Sequence, residues 1–405
     1  MANKHTSITR ARHAFSLIEM MAVLVILAIL LAIGVPSIRS MIYSSERSLA
    51  ENQLRVAMTA ARDAAVRSGG GDAAAVFFYQ DNRTVIIPCV SVGIVNDRKS
   101  VAGADVTTGP QDTEREVFVP VEGIEPIRMP LGWNVRGYAA PGVIPTQVTG
   151  SSPSDGWMDC TGSMPTAIAN QGHWVFPETS FLDLTALSQP NGSVQGEDEG
   201  WKRQTFMVRF ESGTGNAAIS ARVPVLVLDP LPVLSGEGFR GAGRDPYSLE
   251  VHDPTQAASL EAFVRQQINN PQLRAGNPPE ITKILGDISP DTVLAMPVTE
   301  IALYDEASMA SAIGVVRLNP ITNSLYGNME DETLAPTVPE FDRSTRTWGG
   351  AVPDAQDIQA RVNAYMTRDA HTPRVLDEST SFEARVFTIQ RYMGQMTEVS
   401  PEIES

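Results

Sequence analysis

Twenty-one residues near the amino-terminus constrain this chain more than any others. From Phe15 to Val35 only Ser16 and Glu19 are polar. As a helix rising about 1.5 Å per residue, the run is roughly 30 Å long, the thickness of a bilayer's hydrocarbon core. A carboxylate inside such a segment is costly, and residues of this kind are candidates for function. Upstream lie Lys4, Arg10 and Arg12, with no acid in the first fourteen residues. The positive-inside rule then keeps the amino-terminus cytoplasmic and exports the body.

Three kinds of protein begin this way. A cleavable secretory signal has a basic start, an apolar middle and a small-x-small site, here Ala32-Ile33-Gly34. A plain anchor has the same run without the site. A type IV prepilin signal is cut before the apolar segment rather than after it. Glu19 separates them, because a signal peptide gains nothing from a carboxylate and an anchor only loses by one.

Ala14-Phe15-Ser16-Leu17-Ile18-Glu19 resembles the prepilin motif, a Gly followed by Phe-Thr-Leu-Ile-Glu and an apolar run. The resemblance implies that a membrane aspartyl prepilin peptidase cuts between Ala14 and Phe15 and methylates the new amino-terminal Phe15. It implies that Glu19 pairs with the amino-terminal amine of a neighbouring subunit. Two opposite charges in a low-dielectric layer attract strongly, and a subunit out of register leaves both unpaired. Pro36, which ends the run, is similarly placed to a proline of many pilins. There it kinks or locally melts the helix, because it lacks the backbone donor and clashes with the preceding turn. Ala14 departs from the family's Gly; it is the next smallest residue, and slower cleavage is expected.

Beyond the run, Ile38, Ile42, Leu49, Val56 and Ala60 recur at helical spacing and predict one apolar face. Arg39, Glu46, Arg47, Glu51 and Arg55 fall opposite. No Gly or Pro intervenes between Pro36 and Ser68-Gly69-Gly70-Gly71, which stops the helix. One helix of about fifty residues is expected, its second half laid on a β-sheet. Ala74–Tyr79 and Thr84–Val90 then read as a hairpin about Gln80-Asp81-Asn82-Arg83. Val117–Val121, Trp174–Phe176, Thr205–Phe210 and Val223–Leu228 are further short strands. Two later helices are expected at Thr255–Gln267 and Asp354–Thr367. The fold class is α+β: a long amino-terminal helix, half membrane and half amphipathic, packed on an antiparallel β-sheet head.

This part is similar to one branch of the family, the H-type minor pseudopilins of type II secretion and their type IV pilus relatives. Ala60–Gly69 looks like that branch's helix end, Phe210-Glu211-Ser212-Gly213-Thr214 like its turn, and Ile301–Asp305 with Val315–Asn323 like its last hairpin. The organisation that follows is a leader 1–14, a membrane and assembly helix 15–36 and an amphipathic half 37–68. A β-rich head follows at 69–229, with an insertion 230–298, the last hairpin 299–327 and a carboxy-terminal extension 328–405. The head is enlarged relative to that branch.

Signs of chemistry are few. Gly236-Glu237-Gly238-Phe239-Arg240-Gly241 has dinucleotide-fingerprint spacing, but that pattern needs a strand before it and a helix after it. Here Gly243-Arg244-Asp245-Pro246 follows, so a surface loop is expected. His5, His13, His173, His252 and His371 are isolated from one another, without metal-ligand spacing, and no nucleophile elbow is present. Glu197-Asp198-Glu199 and Glu330-Asp331-Glu332 are read as solvated faces rather than cation sites. Cys89 and Cys160 form one disulfide if the body is exported, or stand as two buried thiols.

The net charge is −16, and −19 without the first fourteen residues. Nucleic-acid binding needs a clustered basic face and is not expected. The chain therefore points to no enzyme, no metal and no cofactor. It points to a minor pilin or pseudopilin subunit in the bacterial inner membrane and then in a filament. Its partners are a prepilin peptidase and other pilins through the amino-terminal helix. The alternative is a secreted or membrane-anchored β-rich binding protein that joins no filament.

Overall fold

Helix α1 (Leu17–Arg67) is a single element of 51 residues in the computed structural model. The structure describes residues 17–80, 83–97, 113–140, 173–175, 204–219, 224–228, 259–275, 281, 285, 292–306, 309, 315–318, 325–327, 341–342, 347–348, 365–366, 384–392 and 394–399. The chain divides into two units, 1–49 and 50–405. The glycine stop acts where the sequence places it. Ser68 N donates to Ala64 O at 2.8 Å, and Gly69 takes the left-handed conformation, φ 61°, that ends helices cheaply only in glycine. The amide of Gly213 donates to Ala65 O at 3.0 Å, which satisfies one of the helix's terminal carbonyls.

The face that α1 buries is not the one its large apolar residues predict. Ile38, Ile42, Leu49 and Val56 are exposed, whereas Ala50, Leu54, Ala57, Met58, Ala61 and Ala65 are buried. These fall at i, i+4, i+7, i+8, i+11 and i+15, a helical stripe in its own right. Small side chains let a helix axis approach its support closely, and that gain outweighs the bulkier residues a quarter-turn away.

Strands β1 (Ala73–Gln80) and β2 (Arg83–Asp97) form the expected hairpin, with Gln80 opposite Arg83. They join β3 (Thr113–Pro120), β7 (Gln204–Phe210), β8 (Val225–Leu228) and β9 (Thr292–Pro297) in the order β1-β7-β9-β8-β3-β2, and β2 pairs back onto β1. The sheet therefore closes as a six-stranded barrel. Short β4 (Ile127–Arg128) adds to β2. The antiparallel head expected from sequence is corrected here: β3–β8 and β7–β9 are parallel. Long segments separate these partners in the chain, which is the condition parallel pairing requires.

The barrel is filled by side chains. Ala74, Val76, Phe78, Val85, Ile87, Cys89, Phe118, Met207, Val225, Val227, Val293 and Ala295 form one buried cluster, the alternate residues of each strand, as a narrow barrel demands. At Ser91–Gly93 a bulge shifts the β2–β3 register. Val90 before it, Val92 within it and Val95 after it share the outer cluster, as the extra residue of a bulge dictates. Helix α2 (Leu260–Ile268) covers that outer face with Val264 and Ile268. Ser259 caps it, accepting from Ala262 N at 3.0 Å, so the helix begins later than Thr255. Arg265 donates to Val92 O at 3.0 Å and to Ser91 O at 3.3 Å, occupying carbonyls that the bulge turns out of the ladder.

A second sheet runs β16-β15-β10-β5-β6, with β5 (Trp133–Ala139), β6 (His173–Val175), β10 (Glu300–Asp305), β15 (Arg385–Ile389) and β16 (Met396–Glu398), antiparallel throughout. It abuts the barrel where Gly137 meets Phe206; a Cβ at Gly137 would lie 2.6 Å from that ring. Phe206 itself stacks on Phe77 at 4.6 Å.

These pairings redraw the carboxy-terminal organisation. Strand β10 is flanked by β5 and β15, so it has no free edge for the hairpin expected with Val315–Asn323. Val315–Leu318 (β11) pairs instead with Leu325–Gly327 (β12). Strand β9, placed by sequence in an insertion, lies between β7 and β8 in the barrel. Strands β15 and β16, placed in an extension, complete the second sheet. Phe341–Asp342 (β13) and Thr347–Trp348 (β14) form a small ladder. Of the helix expected at Asp354–Thr367, only Tyr365 and Met366 lie within the described residues; both are helical and buried.

Candidate assembly site

The amino-terminal part of α1 is built from large apolar side chains that stand exposed. From Leu17 to Leu31 every described Leu, Ile, Val and Met is at least half exposed, between 50% and 79%. Exposed apolar surface on this scale marks a contact with protein or lipid. Among the described residues, no helix meets the length and apolarity needed to cross a membrane. The side chains of Glu19, Ile33, Pro36 and Arg39 lie outside the described residues. The sequence from Met20 to Val35 is nonetheless sixteen residues without a charge.

Glu19 falls in the first turn of α1, and Pro36 lies within it, with helical assignment continuing on both sides. Ala14 and Phe15 precede the described residues. In sequence the segment carries one carboxylate, Glu19, near its start. Such a carboxylate is tolerable in an apolar layer only with a positive partner.

Polar clusters elsewhere stabilise the head. Asp72, just past the glycine stop, accepts from Arg209 Nε at 2.7 Å and from Ser212 N at 2.9 Å. Arg209 also pairs with Glu116 at 2.6 Å and lies 5.4 Å from the Phe118 ring centroid. These contacts tie the entry to β1 across to β7 and β3.

A deeper group joins the barrel to the second sheet. Thr84 of β2 accepts from Val135 N at 2.9 Å and contacts Asn134 Oδ1 at 3.2 Å, and Asn134 Nδ2 donates to Glu306 at 3.2 Å. Beside them Arg136 sits 5.0 Å from the Tyr304 ring centroid. Burial lowers the Arg136 pKa to about 10 and raises that of Tyr304 to about 12. Arg136 remains charged at neutral pH and Tyr304 protonated, so neither of these two exchanges a proton near pH 7.

Cys89 is buried inside the barrel, its thiol 3.6 Å from Ile87 O. Cys160, both acidic triplets, the Gly236–Gly241 loop and His252 lie outside the described residues. Among the described residues no three His, Cys, Asp or Glu side chains are grouped to hold a metal ion. Sequence reasoning missed the buried alanine stripe and the partners of Glu51. The recurrence of Ala at 50, 57, 61 and 65 was the available signal for the first; nothing local signals the second.

No curated protein and no solved structure matches the chain. One family description does: the prokaryotic N-terminal methylation motif, over residues 9–35. It spans the Ala14–Phe15 junction, Glu19 and the exposed apolar part of α1. The chain therefore carries the amino-terminal processing motif of type IV pilin-like proteins, ahead of a mixed α+β, β-rich head.

Proposed function

We propose that this chain is a minor pilin or pseudopilin subunit of a type IV pilus or a type II secretion pseudopilus. Prepilin peptidase cuts it between Ala14 and Phe15 and methylates Phe15. Before assembly the apolar part of α1 spans the inner membrane once, with the amino-terminus cytoplasmic and the head outside. In the filament that same surface packs among other pilin helices, Glu19 meets a neighbour's amino-terminal amine, and Pro36 lets the helix bend. The work is mechanical; no enzyme activity, cofactor or nucleic-acid partner is invoked.

The carrying observation is the methylation motif at residues 9–35, which takes in an exposed apolar helix surface. The H-type affinity rests on the Ala60–Gly69 helix end and on the Phe210–Thr214 turn, where Gly213 takes φ 74°. It does not extend to the last hairpin. The large head suits a subunit present in few copies.

The test is co-expression with a prepilin peptidase and mass spectrometry of the mature amino-terminus. A product beginning at N-methylated Phe15 supports the reading. A product beginning at Val35, or an uncleaved chain, overturns it.

A further inference from the structure

The carboxy-terminal hairpin, β15 with β16, meets the head-side half of α1 directly at one end and through the loop after β7 at the other. At one end, Arg385 pairs with Glu51 of α1 and with Glu398 of β16. Their side chains are largely withdrawn from solvent, 23% exposed for Arg385 and 16% for Glu51. One turn further along the helix, Arg55 lies 6.0 Å from the centroid of Phe387, and Arg385 stacks on the same ring at 5.8 Å.

At the other end, the turn of the hairpin presses on the loop after β7. Ala217 N donates to Arg391 O at 2.9 Å. Gly394, at φ 57°, lies so close that a Cβ there would fall 2.8 Å from Gly215 O and 2.9 Å from Phe210. Gly215, at φ 66°, is in turn pressed on α1; its Cβ would meet Arg62 at 2.9 Å and Val66 at 3.1 Å. Contacts at Glu51, Arg55 and Arg62–Val66 cover roughly 22 Å of helix. Residues more than three hundred positions away in the chain therefore hold the first turns of the docked segment directly, and its last turns through Gly215.

We propose that the β15–β16 hairpin is a strap that fastens residues 50–67 of α1 to the head, keyed by Arg385 at one end and by the Gly394–Gly215 contact at the other. The buried alanine stripe explains why a strap is needed. Alanine buries little area, so Ala50, Ala57, Ala61 and Ala65 together hold the helix less firmly than four leucines would. The strap supplies fixed contacts at both ends instead, and its backbone is anchored to the sheet by β10 and by Ile389 N donating to Thr299 O at 2.8 Å. The proposal does not depend on filament assembly. If the chain is assembled, the same strap carries axial load from α1 into the head.

The test is hydrogen exchange of the full-length chain in detergent, read by peptide. Arg385→Gln should speed exchange across residues 50–67 by about fivefold to tenfold, as expected for a local opening freed of two ion pairs. Peptides of β1 and β7 should not change. Arg385→Lys should recover part of the protection. Gly394→Val, at the opposite end, should loosen the same window. Should Arg385→Gln fail to fold, Glu398→Gln removes one of the two pairs and is read in the same way. Unchanged protection of 50–67 in both ends' variants overturns the strap. So does a loss spread evenly through the barrel.

Discussion

Two halves of one helix solve opposite problems. Before residue 50, α1 displays large side chains to the outside: Leu24 is 60% exposed and Leu31 55%. After it, the buried face is mostly alanine, with Leu54 and Met58 as its only long members. A surface that must adapt to lipid or to other helices benefits from bulk. One docked permanently on its own head benefits from a close approach and fixed ends. Hydrophobicity alone does not distinguish them, since the bulkier half is the one left bare.

The largest effect should come at Glu19. Substitution by Ala should leave cleavage and methylation intact but reduce incorporation into sheared filaments by about tenfold or more, since a buried amine then lacks its partner. Filaments and membranes blotted for the chain give the ratio. Ordinary incorporation would mean that the first half assembles through bulk alone.

The next two effects compare buried positions of the docked half with exposed ones on or next to it. Ala61→Glu places a carboxylate at a fully buried position and should destabilise the head by about 3 kcal/mol or more. Leu49→Glu, on the exposed side, should change it by about 0.5 kcal/mol or less. Leu54→Ala should cost about 2 to 4 kcal/mol through its cavity, and Val56→Ala about 0.5 or less. Trp133 and Trp174 are buried in the second sheet, so tryptophan fluorescence during unfolding reports each value. Equal losses at Ala61 and Leu49 would erase the distinction between the two faces.

The legible parts of the fold were those set by neighbours in sequence. The glycine stop after Arg67, the pairing of Gln80 with Arg83 and the starts of β1, β2, β6 and β7 depend on residues within a few positions, and they stand within one residue of where expected; β3 begins four residues before Val117, and β5 was not foreseen. The barrel's closure does not. It depends on β9 entering between β7 and β8, and on β3 meeting β8 across a hundred residues of chain, which no local pattern encodes. The buried face of α1 was misread because large side chains outweigh alanine on any hydrophobicity count. What decides the face is the steric fit to the surface beneath. The amino-terminal motif was legible for the reverse reason: it is a contiguous stretch, residues 9–35, so its recognition does not wait on the fold.

The smallest predicted effect concerns the sheet that carries the strap. Glu300 opens β10, opposite Thr388 of β15, and partial burial raises its pKa above the ordinary 4.5. A raised native value means that the folded chain keeps a proton the unfolded chain releases. The associated stability is full below about pH 4.5 and is lost as pH rises through the native value. At neutral pH the charged Glu300 therefore weakens the sheet slightly. Glu300→Gln should raise Tm by about 1 to 2 °C at pH 7, the small size reflecting a group still half in water. The gain should vanish near pH 4. Burial first, and then Glu300, raise the pKa of Tyr138 on the adjacent strand. The same variant should therefore bring tyrosinate absorbance in at lower pH without returning Tyr138 to its ordinary value. A stabilisation equal at pH 4 and pH 7 would assign the effect to packing rather than to charge. Exchange in residues 50–67 should slow with it, because a firmer β10 holds β15 and so the strap. Residues 17–49 should exchange as before.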